Sequence, residues 1–256
     1  MKNYMRPRSK WFPYQHLFLL GTLIYALTLP VSGWYWALSF TMWYFIITFG
    51  INFTFHRLLS HKSFKTYKPI EWLGTFLGTI ANTGSALAWV MMHRQHHHYT
   101  DVKYDPHSPH EYGWRVLFSL YNDDLYIEKP SAALMYTRHM LRDKFHVFMH
   151  DYYHGIILGY WLTLYLIGGL NLVIFGGTVP AILSVISTNL SNYFNHKSGY
   201  ITYDIPDKSR NTPFMLPIAL GENWHNNHHH DPSNPFPGEK WWEIDPVKPL
   251  VMLFRK

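Results

Sequence analysis

The stretch "WFPYQHLFLLGTLIYALTLPVSGWYWALSFTMWYFIITFGINFTFHRLLSH", Trp11 to His61, contains no Asp, Glu, Lys or Arg before Arg57. One membrane crossing needs about 20 apolar residues. The run is therefore long enough for two, and "LPVSGW" at Leu29 to Trp34 breaks it near its middle. A second run, Tyr152 to Asn195, is equally free of charge and breaks at "GGLN", Gly168 to Asn171. The pattern predicts an all-α integral membrane protein with four transmembrane helices arranged as two hairpins. The spans fall near 13–30, 34–55, 153–168 and 172–194.

All 22 Lys and Arg lie outside the charge-free blocks Trp11 to Phe55 and Tyr152 to Asn195. The positive-inside rule then assigns residues 1–12, 56–151 and 195–256, both termini included, to the cytoplasmic side. Two hairpins require the same by parity. No composition break divides the 256 residues, so a single domain is expected. The basic start "MKNYMRPRSKW" reads as a retained cytosolic flank, because no small-residue cleavage site follows the apolar run. "PIEWLGTFLGTIANTGSALAWVMM", Pro69 to Met92, is apolar but interrupted by Gly74, Gly78 and Gly84; it either dips into the membrane or lies along it. "YNDDLYIEKPSAA", Tyr121 to Ala133, reads as a loop.

Composition agrees with a lipid-facing chain. Charged residues make up 15% and aromatic residues 18%, where a soluble domain carries about 25% charge. The mean hydropathy of -0.14 is low only because 18 His and 19 Tyr depress it. With no Cys, disulfides and thiolate ligation are excluded, and any metal must sit on imidazole, carboxylate or amide groups. The net charge of +6 suits anionic headgroups, an acidic electron carrier or a phosphate-bearing acyl carrier. Nothing suggests nucleic-acid binding.

The histidines cluster. "HRLLSH" holds His56 and His61, "HRQHHHYTD" holds His93, His96 and His97, and "HNNHH" holds His225, His228 and His229. All belong to the expected cytosolic face. Residues three and four apart share one side of a helix, so H-x-x-H-H presents three imidazoles together. The pair five apart fans wider, which suits a helix end. "NYFNH" adds Asn192 and His196, one turn apart at the end of the fourth span. Nine imidazoles and one amide exceed the needs of one ion and fit two, in a cytosolic helical cap holding a di-metal site. Iron, zinc or copper suits such ligands. His98 and His230 each extend a pair to a triple, so a register shift could exchange either for a neighbour. Asp101, Asp105 and Glu222 lie beside the clusters and are candidates to orient ligating imidazoles.

"HRLLSH", "WVMMHRQHH" followed by "DPH", "NYFNH" and "GENWHNNHH" resemble the histidine boxes of the membrane fatty acid desaturases, in particular the acyl-CoA Δ9 (stearoyl-CoA-type) branch. The likeness runs from about Phe49 to Pro232 in the right order. It implies a di-iron centre on His56, His61, His93, His96, His97, His196, His225, His228 and His229, with Asn192 reaching a metal through water. It implies the dioxygen-dependent insertion of a cis double bond, Δ9 by family likeness, into a saturated acyl chain carried by coenzyme A, acyl carrier protein or lipid. No haem domain is fused here, so electrons are expected from a separate carrier, such as ferredoxin or a haem protein with its reductase. Because an acyl chain has no polar handle near its middle, a bent apolar tunnel must select the bond. Phe40, Tyr44 and Trp89 are its expected wall residues.

Two rivals remain at this level. A membrane di-iron hydroxylase or ketolase shares the first hydrogen abstraction and differs by gaining oxygen. A histidine-rich membrane zinc protein, peptidase or transporter, would show H-E-x-x-H on a helix or ionisable groups within its spans. The first is absent, and the span interiors are nearly bare of the second.

Overall fold

The computed structural model describes residues 12–118 and 130–256. The basic N-terminal flank and residues 121–129 of the expected loop lie outside the described residues. Described regular structure is helical, with isolated β-bridges only at Thr66–Arg255, Tyr200–Asn211 and Asn211–Trp224.

Helix α1 (Phe12–Thr28) ends at the predicted break, and α2 begins as Gly33–Phe45. From Ile46 to His61 the same helix continues with widened π-type turns, in which residues five apart are bonded. The hydroxyls of Thr54 and Ser60 donate to the carbonyls of Phe49 and Phe55, each five residues back. The helix therefore runs past the expected end of its span and stops at Lys62, which adopts a left-handed φ of 56°. Arg94 donates to the carbonyls of Leu59 and Ser60 at that end, where unpaired carbonyls collect.

Pro69 to Met92 resolves into two helices, α3 (Lys68–Ile80) and α4 (Ala86–Tyr99), the second capped by Ser85 Oγ accepting from the Ala88 N–H. Helix α3 lies against α2 at backbone contact. A Cβ on Gly50 would come within 2.5 Å of the Gly78 nitrogen, and one on Gly74 would overlap Thr54. The glycines of that stretch thus serve close packing. Short α5 (Pro109–Tyr112) follows. The expected loop also ends earlier than Ala133, because α6 (Pro130–Thr137) starts at Pro130, whose fixed φ suits a first helical position.

After α7 (Lys144–Asp151), α8 (Tyr153–Val173) contains a break at Gly168 and Gly169. Gly169 takes a φ of 68° there, in the region glycine adopts without a Cβ clash. A π-type turn (Ile174–Thr178) leads into α9 (Val179–Phe194). Tyr160 Oη donates to the Gly176 carbonyl at 2.7 Å, so the chain folds back on itself across the break. Leu19 of α1 packs on Ala181, Ile182 and Val185 of α9, while Ser39 of α2 donates to the Phe175 carbonyl. Two segments are long and apolar enough to cross a membrane, Gly33–His61 and Tyr153–Phe194. Leu17, Ile24 and Leu27 on α1 and Leu158, Leu162 and Leu166 on α8 turn outward, an arrangement that water disfavours and lipid accepts.

The remaining chain forms α10 (Leu216–Ala219), α11 (His225–His230) and α12 (Lys248–Phe254). Phe254 stacks on Phe49, and Val247 and Val251 join Phe49 and Phe53 in one cluster. That contact holds the C-terminal segment to the part of α2 that leads into His56.

Candidate metal centre

The ends of α2 and α9, helix α4 and helix α11 converge, and nine histidines meet between them. His56, His61, His93, His97 and His228 form one group; His96, His196, His225 and His229 form a second. Within each group the candidate ligand atoms lie within 4.8 Å of one another. On α4 the i, i+3, i+4 spacing divides its three rings between the groups. On α2 the widened turns bring the His56 and His61 rings to 4.8 Å, so the pair five apart does not fan out as an α-helix would make it.

The asparagines inside "HNNHH" point away from the histidines and hold α11 in place. Asn226 Oδ1 accepts from the N–H groups of Thr202 and Tyr203. Asn227 Nδ2 donates to the Pro237 carbonyl and to Glu243. Asn211 Oδ1 accepts from both asparagines' backbone N–H groups. A six-residue helix is too short to stand alone, and these bonds supply what its length does not.

In each group the Nε2 atoms turn inward. His56 and His228 approach at 3.0 Å, His93 and His97 at 3.1 Å, His97 and His228 at 3.1 Å, and His196 and His225 at 3.1 Å. His61 and His93 stand 2.7 Å apart, while Nε2 of His96 and of His229 is buried with no protein partner. Adjacent ligands about 2.1 Å from one ion are separated by about 3 Å when the angle between them is near 90°. A proton could join one such pair but not the whole set, since facing lone pairs repel.

Carboxylates hold the other side of four rings. The Nδ1 atoms of His96, His196 and His229 lie 2.9 Å from Asp105, Asp101 and Asp207, and that of His56 lies 2.6 Å from Glu222. An Nδ1–H donated to a carboxylate leaves the Nε2 lone pair free for a metal. Three of these carboxylates were sequence candidates. Asp207 was missed, because it lies 22 residues from the histidine it contacts and only the fold joins them. Burial, reinforced by neighbouring imidazoles, holds His93, His97, His225, His228 and His229 well below the usual histidine range. Burial alone would raise Asp105, yet His96, with help from His107 and the Asp101 backbone N–H, draws it down to about 2. Imidazoles facing inward and carboxylates behind them fit a cation in each group.

His98 and His230 stand outside both groups. The His98 ring packs near Tyr99 and Tyr136, and His230 stacks on Tyr203 at 3.7 Å. His107, which its sequence position did not single out, lies against His96 at 4.3 Å and forms a further group with His96 and Asp105.

A cavity opens between α2, α4 and α9, lined by Ile47, Ile51, Trp89, Thr188 and Asn192 together with His56, His93 and His225. It therefore reaches both groups. Trp89 stacks on His93 at 4.8 Å. Phe40 and Tyr44 are not among the lining residues: their side chains are 53% and 38% exposed on the outer side of α2. The rotation of the helix assigns the cavity face to Ile47 and Ile51 instead.

Residues 32–252 match the sequence model of the family described as fatty acid desaturase. The chain is 32% identical over 256 residues to the sn-1 stearoyl-lipid 9-desaturase of Anabaena variabilis, covering 98% of this chain and 92% of that protein. It is 35% identical over 213 residues to Delta-9 acyl-lipid desaturase 2 of Arabidopsis thaliana, covering 83% and 69%. It is 34% identical over 248 residues to the sn-2 palmitoyl-lipid 9-desaturase of Nostoc sp. (strain 36), covering 93% and 85%. The match spans most of the chain and all nine clustered histidines, and the chain accordingly belongs to the fatty acid desaturase family, as an oxidoreductase that desaturates fatty acids.

Proposed function

We propose that the chain is a single-domain, membrane-embedded di-iron desaturase that inserts a cis double bond at carbon 9 of an acyl chain esterified to a glycerolipid. The observation that carries this reading is the pair of inward-facing Nε2 groups that contribute to the lining of a mainly apolar cavity. Two iron ions held there would supply the activation of dioxygen that an unactivated methylene requires, because no side chain is a strong enough oxidant.

The nine histidines are the proposed ligands, and Asn192, which lines the same cavity, would act through water. Arg57 neutralises Asp245. Asp101, Asp105, Asp207 and Glu222 then leave four negative charges against the histidines, the charge that two divalent ions balance. Ile47, Ile51 and Trp89 would hold the acyl chain and exclude water. The glycerolipid carrier and the position of the double bond are supported by the names of the relatives.

The family is membrane-bound, and four crossings in two hairpins fit the outward leucines, the fold-back at Gly168 and Gly169, and the 17 residues of α1, which meet the lower limit for a span. Both termini and the metal centre would face the cytoplasm, where a separate ferredoxin or haem carrier delivers electrons. Expression in a host lacking unsaturated fatty acids, followed by gas chromatography of its lipids, tests the function. A new cis-9 acid that disappears with His229→Ala is expected. A hydroxylated or keto product, or no change in the host lipids, would overturn it.

A further inference from the structure

Arg57 follows His56 on α2, and its side chain is only 2% exposed. A buried guanidinium must be paired and have its N–H groups bonded. Here all five are used. Two reach Asp245, at 2.7 and 3.1 Å; two reach Glu222 Oε1, at 3.0 and 3.2 Å; and one reaches the Pro235 carbonyl at 3.0 Å. The second oxygen of Glu222 faces His56 Nδ1 at 2.6 Å. Glu222 thus holds a cation on one side and a metal-facing imidazole on the other.

The local backbone is shaped around this assembly. Gly221 adopts a φ of +106°, and a Cβ there would overlap Asp245 Oδ1 and lie 3.2 Å from the Arg57 guanidinium. Asp245 comes from the segment before α12, which packs on the stretch of α2 leading into His56. One cation facing two carboxylates leaves one net negative charge. With Asp245 taking much of the guanidinium's field, Glu222 keeps its negative charge against His56 Nδ1, and an imidazole backed by a carboxylate is a stronger donor through Nε2.

We infer that Asp245 and Arg57 are positioning residues that set, through Glu222, how strongly His56 donates to its metal ion. This rests on the di-iron reading above. Removing the charge of Asp245 leaves Arg57 to be balanced by Glu222 alone, which weakens the hold on His56, lowers metal affinity and favours the reduced centre.

The test uses the full-length chain in detergent or lipid, with iron affinity measured by chelator competition and the midpoint potential by spectroscopic redox titration. Asp245→Asn is expected to lose about ten-fold or more in iron affinity and to shift the potential upward. Glu222→Gln should shift it further in the same direction, and the double variant should match Glu222→Gln alone, since both act through one contact. Asp245→Ser, which leaves room for water, provides a second neutral replacement should the Asn variant fail to fold. A lowered melting temperature with unchanged affinity and potential would overturn the relay, as would additive effects. A wild-type chain that binds no iron would instead overturn the di-iron reading.

Discussion

A histidine serves as a ligand only while it is neutral, and the neutral ring is ambiguous until one nitrogen is committed. Asp101, Asp105 and Asp207 hydrogen-bond Nδ1 on three rings and Glu222 faces that of His56, which leaves Nε2 for the centre. Asp207 is the informative position, because its contact to His229 is long-range and its side chain is 16% exposed, so a substitution leaves packing largely intact. Asp207→Asn keeps an acceptor near Nδ1 but removes the charge. Metal affinity should fall by about ten- to a hundred-fold with little change in helicity. Chelator competition beside circular dichroism checks this, and unchanged affinity would show that the contact does not tune the ring.

Among the elements, α2 combines two features that ordinary helical geometry does not: it is long and apolar enough to cross a membrane, and it delivers two histidines five residues apart to one group. Its widened turns do the second, and its contact with α3 requires glycine. Gly50→Ala would drive a Cβ to 2.5 Å from the Gly78 nitrogen. Backbone cannot yield there as a side chain can, so a loss of about 1–3 kcal/mol is expected, read as a lower melting temperature. On α1, by contrast, a methyl group added at Gly21 would meet nothing within 4 Å. Gly21→Ala should therefore cause no such loss, and equal effects of the two substitutions would refute the close contact.

For the molecule as a whole, the centre joins parts of the chain that are far apart in sequence, so metal bound there would be coupled to folding. Metal-free protein should melt at a lower temperature than iron-loaded protein. Without metal its stability should also depend on acid in a defined sense. His93, His97, His225, His228 and His229 are held below the usual range when folded. At these five rings the unfolded chain therefore binds more protons once the pH drops below about 6.5, the free imidazole value. The stabilising term is present above that pH and is lost as the pH falls, by up to about 1.4 kcal/mol per pH unit for each ring. Melting curves of the metal-free chain between pH 8 and 5, which are about the limits of that window, would show the decline; a flat profile would contradict it.

The order of the helices and the histidine-bearing segments could be read from the sequence, because apolar run length and i, i+3, i+4 spacing act locally. The breaks at Leu29 to Trp34 and at Gly168 and Gly169 were legible for the same reason. Tertiary structure alone decided the division of nine histidines into groups of five and four, the pairing of His229 with Asp207, and the exclusion of His98 and His230. It also decided which face of α2 meets the cavity, turning Ile47 and Ile51 inward and Phe40 and Tyr44 outward. Those outcomes depend on helix rotation and on contacts between distant segments, and local sequence spacing fixes neither.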